Sequence, residues 1–334
     1  MIAARAACAL RAARRAGVAG LICCLAAAAA GCADVSDRAQ RSSLAALSQQ
    51  EPAPKDEMRF GDPTRACERD EFGSLAPSRL PRPGAMPVGT FMREIQNRPD
   101  RKLVVGVDQN TLRLGYFDPA KSGMRGFDID LAREVARAIF GGNPDDHITF
   151  KAVTTSQRAA AIVKQEVDIV ASAYTINCKR RTRMHFSDVY HVARQRLLVA
   201  TGSPFRTLDD LHGRKVCATK GSTSWDRLKR TGVRRYPVSL RVDCLVALEQ
   251  AKVDAITSDD AILLGMQDQN PQTKIVGPSL RCEHYGLAIN LEHPEFVSFV
   301  NGVLARLRDR KRLRAFRTTW LRGLPKPKGD RACQ

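Results

Sequence analysis

Between Leu103 and Leu321, strand-length apolar runs alternate with helix-length amphipathic segments, and this alternation restricts the possible folds most strongly. Leu103-Val104-Val105-Gly106-Val107 is a continuous apolar run of the buried-strand kind. Ile129, Ala132, Val135 and Ile139 follow at helical spacing, with Asp128 as the expected N-cap and Gly141-Gly142-Asn143-Pro144 as the stop. Ile148 to Val153 reads as a strand, Ser156 as the cap of a helix to about Gln165, and Val167 to Ala171 as a further strand. A β-α-β-α-β string implies a parallel sheet with right-handed crossovers.

The same pattern then recurs. Arg196 to Thr201 and Lys215 to Thr219 read as strands, a short helix follows Gly221, and Asp243 is expected to cap a helix through Ala251. The helix-then-strand step that ends in Val167-Asp168-Ile169-Val170 returns as Val253-Asp254-Ala255-Ile256. Pro294 to Leu321 reads as helix, with Phe296, Phe299, Val300, Val303, Leu304 and Leu307 on one stripe. The expectation is an α/β chain of two hinged lobes with a ligand cleft between them, at the carboxyl ends of the strands.

What precedes the lobes reads as an address and a tether. Arg5, Arg11, Arg14 and Arg15 form a basic leader without an acid, and the apolar run Ala16 to Gly31 is short for a membrane span. It ends in Ala29-Ala30-Gly31-Cys32, which resembles a lipobox with Cys32 as the lipid anchor, although Ala29 stands where Leu is preferred. Ordinary signal cleavage and an uncleaved anchor helix are the other readings, and all three place the body outside the cytoplasm. Residues 33–100 are rich in Ser, Pro, Gly, Arg and Ala and read as a tether, with ordered sequence from Lys102.

The charge is +19, from 54 Lys and Arg against 35 Asp and Glu. It is spread along the chain without interleaved aromatics, and export argues against nucleic acid as a partner. Of the 10 cysteines, Cys67, Cys178, Cys217, Cys244, Cys282 and Cys333 remain once the leader and Cys32 are set aside. An even number in an exported chain suggests disulfides, whose connectivity spacing alone leaves open. There is no Cys-x-x-Cys and no His pair at metal spacing, so neither metal nor cofactor is expected.

Several motifs carry a family resemblance in order. They are Leu103-Val104-Val105-Gly106-Val107-Asp108, Gly126-Phe127-Asp128-Ile129-Asp130-Leu131-Ala132, Thr175-Ile176-Asn177-Cys178-Lys179-Arg180-Arg181, Phe186-Ser187-Asp188-Val189-Tyr190, Lys220-Gly221-Ser222-Thr223-Ser224 and Tyr285-Gly286-Leu287-Ala288. From Leu103 to Leu321 the chain resembles the family 3 extracellular solute-binding proteins, and most of all actinobacterial glutamate- and glutamine-binding lipoproteins of ABC transporters. That resemblance implies the type II, two-lobe periplasmic-binding-protein-like fold, with lobe one at 101–190 plus 287–334 and lobe two at 191–286. It implies a monomer that binds glutamate, glutamine, aspartate or asparagine and delivers it to ABC permease subunits.

A free amino acid needs a planar cationic fork for its carboxylate and an acid for its ammonium. By resemblance, Arg180 clamps the α-carboxylate, Thr175 contributes hydroxyl and backbone, and the Ala173 backbone meets the ammonium. Ser222 and Thr223 would contact the ligand, although either would also serve as an ordinary N-cap. Asp259 matches the acid for the ammonium, with Asp260 the expected cap of the following helix. Tyr174 and Asn177 depart from the commoner Gly or Met and Thr. Arg113 and Arg158 are candidates for a distal carboxylate or amide, Thr155 falls at a usual aromatic position, and Asp108 would orient the site. Cys217 and Cys244, each near a strand or helix start, form the first expected disulfide. Cys67–Cys178 would pin the arm to lobe one, which leaves Cys282–Cys333.

Two other uses of such a fold are a sensor signalling to a membrane partner and its kinase, and a dehydratase. The second needs a positioned general acid, and both cleft carboxylates, Asp108 and Asp259, already have binding roles. No enzyme is expected.

Overall fold

The computed structural model describes Cys67, residues 70–324 and Cys333. The leader, Cys32 and the first part of the tether lie outside the described residues.

Helix α1 (Phe91–Asn97) leads into β1 (Leu103–Val107). The short strands β2 (Asn110–Thr111), β3 (Gly115–Asp118) and β4 (Gly123–Arg125) pair antiparallel in a small sheet of their own. There follow α2 (Phe127–Phe140), β5 (Ile148–Ala152), α3 (Arg158–Val163), β6 (Ile169–Val170), α4 (Cys178–Arg181) and β7 (His185–Phe186). Beyond it come β8 (His191–Ala200), β9 (Lys215–Thr219), α5 (Thr223–Leu228), β10 (Arg234–Val238), α6 (Val242–Glu249), β11 (Ala255–Asp259), α7 (Asp260–Gln269) and β12 (Thr273–Tyr285). The chain ends with β13 (Ala288–Ile289), α8 (Pro294–Asp309) and α9 (Arg312–Trp320).

Two five-stranded sheets result, ordered β5-β1-β6-β13-β7 and β10-β9-β11-β8-β12. In each, the strands linked by crossover helices run parallel and the remainder antiparallel. The chain passes from the first sheet to the second between Phe186 and His191, and returns between Tyr285 and Ala288. The two crossings are adjacent, because β8 and β12 pair antiparallel and bring His191 opposite Tyr285. Two short, side-by-side crossings make a hinge, and the architecture is a two-lobe periplasmic-binding-protein-like fold.

Several local expectations shift. Order begins well before Lys102: Ile95 is fully buried, Phe91 stacks on His293 at 3.6 Å, and Phe72 stacks on His284 at 3.8 Å. Asn301 donates to the Ser74 hydroxyl at 2.8 Å and the Leu75 carbonyl at 2.6 Å, holding the arm against α8. Asp128 is not a cap. Gly126 holds that position, and Asp128 is a buried acceptor for the Ala173 N–H at 2.8 Å and the Tyr190 hydroxyl at 2.7 Å. Likewise Gln157, not Ser156, precedes α3, and Arg241, not Asp243, precedes α6. Asp259 takes the cap position of α7, while the Asp260 carboxylate accepts from the N–H groups of Arg194 and Ala261. The C-terminal helix is two helices, broken where Lys311 adopts φ 57°. No helix among the described residues is long and apolar enough to cross a membrane.

Three disulfides are present. Cys67–Cys178 ties the arm to α4, Cys217–Cys244 joins β9 to α6, and Cys282–Cys333 fastens the tail to β12, with Cα–Cα distances of 5.7, 5.6 and 5.5 Å.

Candidate functional site

Polar side chains from both lobes converge on a small cavity of about 20 Å³, room for roughly one water molecule. Thr155, Arg158, Ala173, Thr175 and Arg180 line it from the first lobe, and Ser222, Thr223 and Asp259 from the second. Two further expected residues are not in its lining. Asp108 sits behind it, accepting from the Asn110 N–H at 2.8 Å and the Arg241 guanidinium at 3.2 Å. Arg113 lies on the outside. Its guanidinium pairs with Asp268 and donates to the carbonyls of Trp320 at 3.0 Å and Arg322 at 2.9 Å, which holds it away from the cavity.

The lobes are closed on each other. Arg241 reaches from the start of α6 across the cleft to Asp108, the Thr111 hydroxyl at 3.1 Å and the Ser172 carbonyl at 3.1 Å. Arg180 donates to the Gly221 carbonyl at 3.2 Å. Gly221, at φ +77°, adopts a backbone that disfavours other residues, and a Cβ there would stand 2.9 Å from the Ser156 Cα. At Gly265 a Cβ would stand 2.4 Å from the Leu112 carbonyl oxygen, so helix and loop meet only because the side chain is absent.

Arg180 is presented by α4, whose first turn is capped by the Asn177 side chain accepting the Arg180 N–H at 2.9 Å. Its guanidinium donates to the Thr175 carbonyl at 2.5 Å. Arg158 is buried and donates to the carbonyls of Thr155, Ser172 and Ala173 at 3.0, 2.9 and 3.2 Å. No carboxylate among the described residues forms an ion pair with it. Burial, then the neighbouring charges of Arg180 and Arg241, push its pKa down to about 9. Both guanidiniums lie over the Tyr174 ring, at 4.0 Å for Arg158 and 4.6 Å for Arg180. The unusual aromatic thus serves as a platform for the two cations.

Asp259 accepts from the Tyr285 hydroxyl, and burial raises its pKa to about 6, with the Tyr285 bond opposing the rise. Glu283, behind the cavity, accepts from the Thr223 hydroxyl at 2.9 Å and is raised to about 7, first by burial and then by Asp259. Ser222 is used as a cap: its oxygen accepts the Trp225 N–H at 3.0 Å. The Ala173 N–H is taken by Asp128, leaving its carbonyl towards Arg158. The Thr155 hydroxyl is buried without a hydrogen-bond partner among the described residues, so a ligand polar group would find a ready partner there.

Sequence reading missed Arg241, Thr219, Ser224, Ser258 and Ile262, all of which line the cavity. Thr219, Ser258 and Asp259 close strands β9 and β11, so the carboxyl-end rule would have found the first two.

The profile of the bacterial extracellular solute-binding proteins, family 3, matches residues 103–323. GlnH, the ABC transporter glutamine-binding protein of Bacillus subtilis (strain 168), is 31% identical over 227 residues, covering 67% of this chain and 82% of its own. GluB, a glutamate-binding protein of Corynebacterium efficiens, is 31% identical over 217 residues, 61% of this chain and 74% of its own. The crystal structure of a mutant of ArgBP from T. maritima superposes with a TM-score of 0.63 at 27% identity, over 69% of this chain and 98% of that one.

Proposed function

Because the chain belongs to the bacterial extracellular solute-binding proteins of family 3, we propose that it captures a polar amino acid of the glutamate/glutamine or aspartate/asparagine class and delivers it to an ABC importer. One observation carries this reading: a planar cation, Arg180, and a buried acid, Asp259, face one interlobe cavity from opposite lobes. Arg180 takes the α-carboxylate and Asp259 the ammonium, which requires the lobes to part beyond the present cavity of about 20 Å³ and close again around the ligand. The moving bodies are 101–190 with 287–324, and 191–286, the second carrying Cys333 through its bond to Cys282.

Arg158 takes the distal group. A buried guanidinium that forms no direct ion pair, repelled by two neighbouring arginines, is relieved by a second negative charge. Acidic ligands are therefore favoured over amides. The role is binding without turnover, and a lipid on Cys32 keeps the monomer at the outer face of the membrane. Isothermal calorimetry against Glu, Gln, Asp and Asn tests the reading. One-to-one saturable heat is expected with at least one of them, and none with any of the four rejects it. Membrane fractionation of Cys32→Ala tests the anchor, with release of the protein as the expected result.

A further inference from the structure

A second cavity lies beside the cleft. It measures about 500 Å³, within the size range of small-molecule sites. Lys179 lines it from the first lobe, and Arg227, Arg230 and Arg281 from the second. Against these four cations stands one carboxylate in the lining, Asp226, already held by Lys229 at 2.6 Å. Lys179, Arg227 and Arg230 form no ion pair with a described residue. Arg281 has only long contacts, 3.8 Å to Glu71 and 4.0 Å to Glu283.

Like charges gathered around one concavity repel one another, and an anion bound among them removes that cost. Guanidinium forks match the paired oxygens of phosphate, while a lysine supplies a point charge. We propose that this pocket is a second binding site, distinct from the amino-acid cleft, for a phosphate-bearing anion. Its cations come from both lobes, so the complete set exists when they are closed. Thr223 lines both cavities, which places the anion beside the amino acid without sharing its clamp. The proposal stands whether or not the cleft takes glutamate.

The phosphate has two possible sources, a soluble phosphate compound or the headgroup of an anionic lipid, and two probes separate them. Inorganic diphosphate is titrated into the protein by calorimetry, and sedimentation is measured with phosphatidylglycerol-containing vesicles. Binding of at least one probe is expected, saturable and one per chain in the diphosphate arm, and weakened ten-fold or more in Arg227→Glu/Arg230→Glu. The milder Arg227→Gln/Arg230→Gln pair gives a smaller loss and guards against misfolding. Lys164→Glu/Arg310→Glu makes the same change in net charge at exposed positions outside this lining and should bind like the wild type. Binding of neither probe, or an equal loss in the pocket and control variants, overturns the proposal.

Discussion

Tyr285 donates its hydroxyl to the Asp259 carboxylate at 2.5 Å. Tyr285 is the last residue of β12, opposite His191, where the chain crosses between lobes. The acid proposed to hold the ligand's ammonium is therefore oriented by a hinge residue, so ligand contact and lobe position share one hydrogen bond.

Removing that bond with Tyr285→Phe should weaken amino-acid binding. A hydrogen bond to a charged group is worth about 1.5–3 kcal/mol, so calorimetry should read a loss of roughly ten-fold or more. Because the bond lowers the Asp259 pKa, the pH midpoint of binding should also move upward. An unchanged affinity would detach the hinge tyrosine from the site.

Arg180→Met should abolish measurable capture, with a loss on the order of 100-fold or more, since it removes the partner of a desolvated carboxylate. Arg180→Lys keeps charge but not the fork and should fall between the two. Thermal melts would confirm that both variants fold. Capture by the Met variant at wild-type affinity would refute the clamp.

Arg158→Gln should alter selectivity more than overall binding. The affinity ratio of glutamate to glutamine is expected to fall about ten-fold, ~1.4 kcal/mol, because the buried cation is held in no direct ion pair that would compete with the ligand's distal carboxylate. Parallel titrations with the two ligands measure it, and an unaltered ratio would assign the distal group elsewhere.

The parallel strands β1, β5, β6, β9 and β11 were legible as apolar runs, as at Leu103–Val107, whereas the edge strands β7, β10 and β12 and the short β13 were not read. Helix starts were less legible. Asp128 and Asp243 have the chemistry of caps, but Asp128 is taken by Ala173 and Tyr190, partners distant in sequence. That Arg180 faces the cavity was readable from its motif. Arg241 was not, since an arginine before a helix looks like any surface cation until lobe closure brings Asp108 and Thr111 to it. Arg113 stands outside the lining for the converse reason: its partners Asp268, Trp320 and Arg322 come from the far end of the chain. The arm around Phe72 has no periodicity because stacking, Asn301 and a disulfide hold it, not a repeat.

Acidification should have opposite effects on binding and on the contribution of Asp259 to stability. Binding the ammonium needs the ionised acid, so affinity should fall below about pH 6. In the ligand-free protein the native pKa lies above the ordinary 3.8, so the native state binds a proton the unfolded chain lacks. The stability from this group is full below about pH 4 and is lost as pH rises through 6. His191, held neutral by burial with its pKa lowered to about 3, works in the other direction, so the comparison must isolate one group. The melting temperature of the wild type minus that of Asp259→Asn should decrease from pH 4 to pH 7. A flat difference would contradict a raised pKa.

Cys217 and Cys244 are both buried, and their bond closes a separation of 27 residues within one lobe. Constraining a loop of that size in the unfolded chain is worth about 3–4 kcal/mol on the chain-entropy account. For a chain this large, each 1 kcal/mol moves the melting temperature by roughly 2–4 °C. Cys217→Ala/Cys244→Ala should therefore melt about 6–15 °C below the wild type under oxidising conditions. The same variant should retain amino-acid binding at temperatures well below its melt, since neither cysteine lines the cleft. A shift under about 2 °C would mean that packing of β9 against α6, and not the covalent link, holds this part of the lobe.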